Sequence, residues 1–157
     1  MTLLPLNLMI ALAWGVASGD FSASNLLLGF VAGFIALYAF DAVKGDHSYH
    51  RRTLAALGLA LYFTYDLVAS SVQVAWAVLF PSRAIQPRFV EVELDAESDV
   101  AIMLIANLTS LTPGTLSVDV SADRRRLLIH AMFADDPQGV IDGVKRGLEP
   151  RVRRVVE

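Results

Sequence analysis

Cysteine is absent from this chain of 157 residues. Disulfides, thiolate metal sites, iron–sulfur clusters and cysteine nucleophiles are therefore excluded. Charge is scarce as well: Asp, Glu, Lys and Arg make up 18% of the residues, against about 25% in soluble domains. The shortage lies in one half. Residues 1–80 carry 3 basic and 4 acidic side chains, whereas residues 81–157 carry 10 and 12. A formal net charge of −3 leaves no basic half to neutralise a phosphate backbone, which argues against nucleic acid as a partner. Apolar residues, in contrast, make up 55% of the chain. The composition predicts a membrane region over 1–80 and a small water-facing domain over 81–157.

Three apolar runs fill the first region and predict helices over about 1–18, 24–43 and 53–80. A crossing helix needs about 20 residues at ~1.5 Å rise, and the first run just reaches the lower limit. In the second, Asp41 falls at the headgroups, where an acid is solvated. The segment Gly19 to Asn25 between them is short and turn-forming, which predicts a helical hairpin. Val16-Ala17-Ser18 would tolerate cleavage, but no basic segment precedes the first run and a second run follows at once. The first run is therefore expected to be retained. Gly29 and Gly33 repeat at spacing four, and Ala11 with Gly15 offers a matching face. Lipid supplies no hydrophobic force between helices, so such small residues supply close packing instead.

The third run contains one carboxylate, Asp66. Tyr62, Asp66, Ser70 and Gln73 follow at spacings that put them on one helical stripe. Two placements fit. If the helix spans, the stripe faces other protein, since a lone Asp does not face hydrocarbon. If it lies in the interface, the stripe faces the headgroup side. Lys44, Arg51 and Arg52 precede the run and Arg83 and Arg88 follow it. Because positive residues collect on the cytoplasmic side, this favours the interfacial placement and a cytoplasmic C-terminal domain.

In the second region, Val90, Val92 and Leu94 alternate with Glu91 and Glu93, a half-buried strand. A helix over about 97–111 follows, apolar almost all round, so it is expected to be buried in the domain or against a partner. Leu111-Thr112-Pro113-Gly114-Thr115 stops it and leads into a strand in which Leu116, Val118 and Val120 alternate with polar residues. Residues 127–133 form a third strand, and Asp136-Pro137 starts a last helix that should end near Pro150. The order βαββα defines a small α+β layer, marginal in size if left alone.

Candidate chemistry is thin. His47 and His50 have a spacing that suits two metal ligands, but no third is placed, and both are expected to be solvated loop residues. His130 is expected on the outer face of its strand. The Thr112 to Thr115 turn offers hydroxyls and backbone donors for an anion, though Pro113 removes one donor. Arg124–Arg126 and Arg151, Arg153 and Arg154 are expected in solvated turns and tails. Moving an ion or proton through a bilayer needs several titratable groups in line, and the first region holds too few. No catalytic set, metal site or cofactor motif is legible.

Several motifs resemble a known family. They are Asn25-Leu26-Leu27-Leu28-Gly29-Phe30, Ala106-Asn107-Leu108-Thr109-Ser110 running into Leu111-Thr112-Pro113-Gly114-Thr115-Leu116, then Val118-Asp119-Val120, Ile129-His130-Ala131 and Asp135-Asp136-Pro137. In order, and over essentially the whole chain, they resemble the E-type subunit of the Mrp-type multisubunit cation/proton antiporter. The resemblance implies a bacterial or archaeal inner-membrane complex that exchanges Na⁺ for H⁺ and serves pH homeostasis. Its large subunits, related to those of respiratory complex I, would carry the ions. The E-type subunit would be an accessory, non-conducting member whose partners are the other subunits and membrane lipid, with no cofactor and no catalytic residue to transfer. Family members usually place more charge in the segment matching 53–80, where this chain is more apolar. The alternative is a membrane-tethered module that binds a small ligand or acts as a sensor through the Thr112 to Thr115 turn. The expected architecture is a membrane α-helical hairpin, a third amphipathic helix that either spans or lies flat, and a cytoplasmic βαββα domain.

Overall fold

A computed structural model describes residues 3–44, 48–80 and 85–157. His47 and Arg83 lie outside the described residues, as do the side chains of Asp41 and Lys44. The chain forms two compact units, Met1–Leu54 and Ala55–Glu157.

The first unit is built on a helical hairpin, α1 (Leu4–Ser18) and α2 (Ala23–Lys44). Pro5 falls in the first turn of α1, where a missing N–H is tolerated. The helix stops at Gly19, whose φ of 67° suits a residue without Cβ and whose N–H returns to the Gly15 and Val16 carbonyls. Asp20 then accepts from the Ser22 N–H at 2.8 Å and its hydroxyl at 2.9 Å, which fixes the turn. Ala11, Gly15, Gly29 and Gly33 are all buried. A Cβ added at Gly29 would lie 2.8 Å from Trp14 Cβ, and one at Gly33 would meet Asn7 Oδ1 and sit 2.9 Å from Ile10. Backbone approach this close is what small residues permit.

α3 (Ser48–Leu79) begins at Ser48, ahead of the expected Thr53. Hydropathy marks where an apolar run begins, not where a helix does. The polar first turn is held by aromatic contacts that no window average shows. His50 is only 3% exposed, so it is no solvated loop residue. Its ring packs 4.4 Å from Phe34 and 5.1 Å from Tyr38, and its Nε2 donates to the Phe34 carbonyl at 2.9 Å. Beside it the Tyr49 hydroxyl accepts from Asn7 Nδ2 at 2.8 Å. α2 and α3 are each long and apolar enough to cross a membrane, while the 15 residues of α1 extend only about 22 Å.

In the second unit, residues 55–79 of α3 group with an α+β domain. Its strands are β1 (Arg88–Glu93), β2 (Thr115–Val120) and β3 (Arg126–Ala131), in the antiparallel order β1-β3-β2. Val90, Val92, Leu127 and Ile129 form a core with Ala101, Ile102 and Ile105 of α4 (Asp99–Leu111). Ser98 caps α4 by accepting the Ala101 N–H. β2 departs from its alternation: Leu116 and Val118 are exposed, and Ser117 turns to α4. The cause is local. Ser117 Oγ donates to the Ala106 carbonyl at 2.9 Å, its N–H donates to Ser110 Oγ, and a bulge follows. Leu116 therefore pairs with His130, which on its other side pairs with Phe89, along the outer sheet face.

The last helical stretch does not end near Pro150. α5 (Pro137–Asp142) runs into a π-helical turn at Gly143–Leu148 and then α6 (Glu149–Val156), with Pro150 in its first turn. Glu149, 1% exposed, accepts the Asp95 and Ala96 N–H groups at 2.6 and 2.8 Å and lies 3.3 Å from Lys145 Nζ. Glu157 accepts the Glu97 and Ser98 N–H groups. Two carboxylates at the C-terminal end thus hold the loop before α4, where the helix dipole favours negative charge. Arg153 pairs with Glu157 one turn on at 2.7 Å while its side chain stays 40% exposed, as expected of a solvated tail.

Candidate functional site

The stripe on α3 and the turn after α4 meet in the second unit. Tyr62, Asp66, Ser70 and Gln73 line one cavity of about 400 Å³ together with Thr112, Pro113, Gly114 and Thr115. Spacings of four, four and three keep the stripe residues on one side of α3. The turn is shaped by its own chemistry. Thr112 is extended, as a residue before proline prefers, and Gly114 has φ +90°. Thr115 Oγ1 donates to the Thr109 carbonyl at 2.7 Å, and the Met132 N–H donates to the Gly114 carbonyl at 2.8 Å. Leu111, at 62% exposure, points away from this cavity.

The floor comes from the π turn. Val144 and Leu148 line it with Gly139, Val140 and Gly143. A Cβ on Gly147 would collide with the Tyr62 hydroxyl, and the Arg151 guanidinium lies 4.0 Å over the Tyr62 ring. Arg151, expected in a solvated tail, instead anchors α6 to α3. Thr112 Oγ1 donates to the Leu108 carbonyl at 3.0 Å and lies 3.4 Å from Asp66 Oδ2. A hydroxyl has one proton to give, so Asp66 receives little from it. Asp135 and Asp136 add two carboxylates to the wall, Asp136 also accepting from the Gln138 N–H as the cap of α5. Among the described residues, no Lys, Arg or His lines this cavity. The turn therefore does not suit an anion: carboxylates face it, and the two threonine hydroxyls are spent on backbone carbonyls.

The arginine-rich segment is partly neutralised. Arg126 pairs with Glu91 at 2.9 Å and Arg124 with Asp99. The Asp95 carboxyl is held below its ordinary range by its hydrogen bond from Lys145. Burial pulls the Lys145 ammonium down, but its bonds to Asp95 and Glu149 prevail and leave it above its usual value. Hydrogen bonds from Arg153 and from the Glu97 and Ser98 N–H groups lower the Glu157 carboxyl. Among the described residues, no group of three His, Asp or Glu converges as metal ligands.

Sequence reasoning passed over Asn7 and Glu149 and placed His50 in a solvated loop. Asn7 had a signal, being the sole amide in an otherwise apolar run. His50 and Glu149 had none, because only the fold brings Phe34 and the loop at 95–96 to them.

A hairpin, two helices long enough to cross and a small three-stranded domain define a membrane-associated component. The model of a family described as Na⁺/H⁺ ion antiporter subunit matches residues 7–155. The chain is 34% identical to the E1 subunit of the Na⁺/H⁺ antiporter of Staphylococcus haemolyticus (strain JCSC1435), over 97% of this chain and 96% of the relative. It is 30% identical to the E1 subunit of Staphylococcus aureus (strain JH9), over 98% and 97%. In fold it is similar to a chain of the Mrp complex from Dietzia sp. DQ12-45-1b, with TM-score 0.50 and 23% identity over 65% of this chain and 96% of that one. It is also similar to a chain of the archaeal membrane-bound sulfane sulfur reductase, with TM-score 0.52 and 21% identity over 94% and 97%. The chain belongs to the family of E-type Na⁺/H⁺ antiporter subunits, as its motifs led us to expect. It is a component of a multisubunit transporter in a bacterial membrane.

Proposed function

We propose that the chain is an accessory, non-conducting subunit that supports assembly and activity of a Mrp-type complex exchanging Na⁺ for H⁺. The observation that carries this is electrostatic. α1 and residues 23–40 of α2 contain no Asp, Glu, Lys, Arg or His, and the carboxylate of Asp66 lines a cavity of the α+β domain. An ion relay requires several titratable groups in line within the membrane. Exposed apolar side chains of the domain, Phe89, Val100, Met103, Leu116 and Val118, are surface that neighbouring subunits can cover.

Residues 1–80 serve as the membrane region and the domain sits on the cytoplasmic side, as the basic residues around α3 favour. α3 has the length and apolarity of a crossing, yet its second half lies interfacially in this proposal. Leu57, Leu61, Tyr65, Val68, Val72, Trp76 and Leu79 form one exposed apolar stripe, while the opposite side packs on a charged domain. A helix bound along one flank to a charged domain cannot bury that flank in hydrocarbon, but it can sink the other flank into the acyl boundary.

Two measurements test these statements. A tagged copy purified from native membranes brings down the other antiporter subunits; recovery of the chain alone would contradict the role. In a Trp14→Phe variant, Trp76 is quenched most by bromines near the headgroups; strongest quenching by bromines at the bilayer centre favours a crossing.

A further inference from the structure

The cavity over α3 is a socket for which the described residues of the second unit supply no plug. Its wall carries Asp66, Asp135 and Asp136, and no cationic side chain among the described residues lines it. Neither Asp66 nor Asp135 forms an ion pair among the described residues. Thr109, also in the wall, is 5% exposed, and its hydroxyl has no hydrogen-bond partner among the described residues. Buried polar groups are nearly always satisfied in a finished assembly. The rest of the lining is apolar, from Phe133, Val140, Val144 and Leu148.

These features select a ligand. A bare metal ion is a poor match, since no three His, Asp or Glu converge among the described residues, and the cavity of about 400 Å³ is far larger than an ion. An anion is repelled. A long side chain with an apolar stem and a cationic head matches both parts of the wall, because Lys and Arg lay their methylenes on apolar surface while the head seeks oxygen. We infer that this cavity receives a lysine or arginine side chain from a neighbouring subunit of the antiporter, with Asp66 and Asp135 as its counter-charges. The inference rests on the subunit role proposed above.

The test places the photo-crosslinking residue p-benzoylphenylalanine at exposed Gln73, on the rim, in the tagged chain assembled with its complex in native membranes. After irradiation, the crosslinked peptide is mapped. The expected product joins position 73 to another subunit within about one helical turn of a Lys or Arg, and its yield falls at least tenfold when Asp66→Asn and Asp135→Asn are combined. Both changes are nearly isosteric, and the Thr112 hydroxyl keeps its bond to the Leu108 carbonyl; an unchanged melting curve of the purified chain confirms folding. A product on lipid, a product on a segment without basic residues, no product, or a yield indifferent to the double variant would overturn the inference. If the complex co-purifies while any of these holds, the socket fails alone; if no subunit co-purifies, the accessory role fails first.

Discussion

In residues 1–54 the helices meet through side chains that are nearly absent, whereas in residues 55–157 the elements meet through bulk. Gly15, Gly29, Gly33 and Ala11 occupy the contact between α1 and α2, with Trp14, Ile10 and Leu26 closing over the gaps. Around the sheet the same work falls to Ile105, Leu127, Ile129 and Val152, all essentially free of solvent. The difference follows from the solvent each unit faces in the proposed placement. Water drives large apolar side chains together, while lipid does not, so helices in lipid gain by approaching closely. The two units should therefore respond to changes of side-chain volume with opposite signs.

The largest expected effect is in the second unit. Ile105→Ala removes a fully buried side chain and should cost about 2–5 kcal/mol, a large share of the stability of so small a domain. Amide exchange over residues 88–131 should then lose its protection; protection equal to that of the parent would show that the domain does not depend on this core. Next comes the reverse experiment. Gly33→Ala adds one carbon where Asn7 Oδ1 and Ile10 already sit, and overpacking of this kind costs about 1–3 kcal/mol. The melting temperature of the full chain in detergent should fall, whereas Met9→Ala, at an exposed site, should leave it unchanged. Equal effects of the two would erase the contrast between the units.

The smallest effect is a matter of pH. Glu157 has its carboxyl lowered below the ordinary 4.5 by Arg153 and by the Glu97 and Ser98 N–H groups. A depressed carboxylate stabilises the folded state above its unfolded value and loses that contribution as pH falls through the folded one. Exchange of the Glu97 and Ser98 amides should accelerate relative to the core amides as pH falls through the lowered range of this carboxyl, and Glu157→Gln should remove that extra pH dependence. A pH profile identical in parent and variant would show that the carboxylate does not hold this loop.

Much of the architecture was legible because it depends on local patterns. Apolar run lengths placed α1 and α2, Asp136-Pro137 placed the start of α5, alternation placed β1, and a short apolar run placed β3. The expectations that failed depend on contacts distant in sequence. β2 turned Leu116 and Val118 outward because Ser117 binds the carbonyl of Ala106, and α3 began early because Tyr49 and His50 found Asn7 and Phe34. Of the candidate site, the sequence identified both the stripe and the turn but offered nothing to join them. It is the packing of α3 on α4 and the π turn that brings Asp66 to Thr112 and Tyr62 to Gly147. Asp136 entered as a helix start and Asp135 only as part of a resembling motif, and their place in the same wall became visible with the fold.

A non-conducting role is decided by what the chain does without its partners. Purified by itself and reconstituted into liposomes under an imposed proton gradient, with an entrapped pH dye, it should produce no Na⁺-dependent alkalinisation above that of protein-free vesicles, while the whole complex should. Na⁺-dependent proton movement by this chain alone would contradict the accessory role.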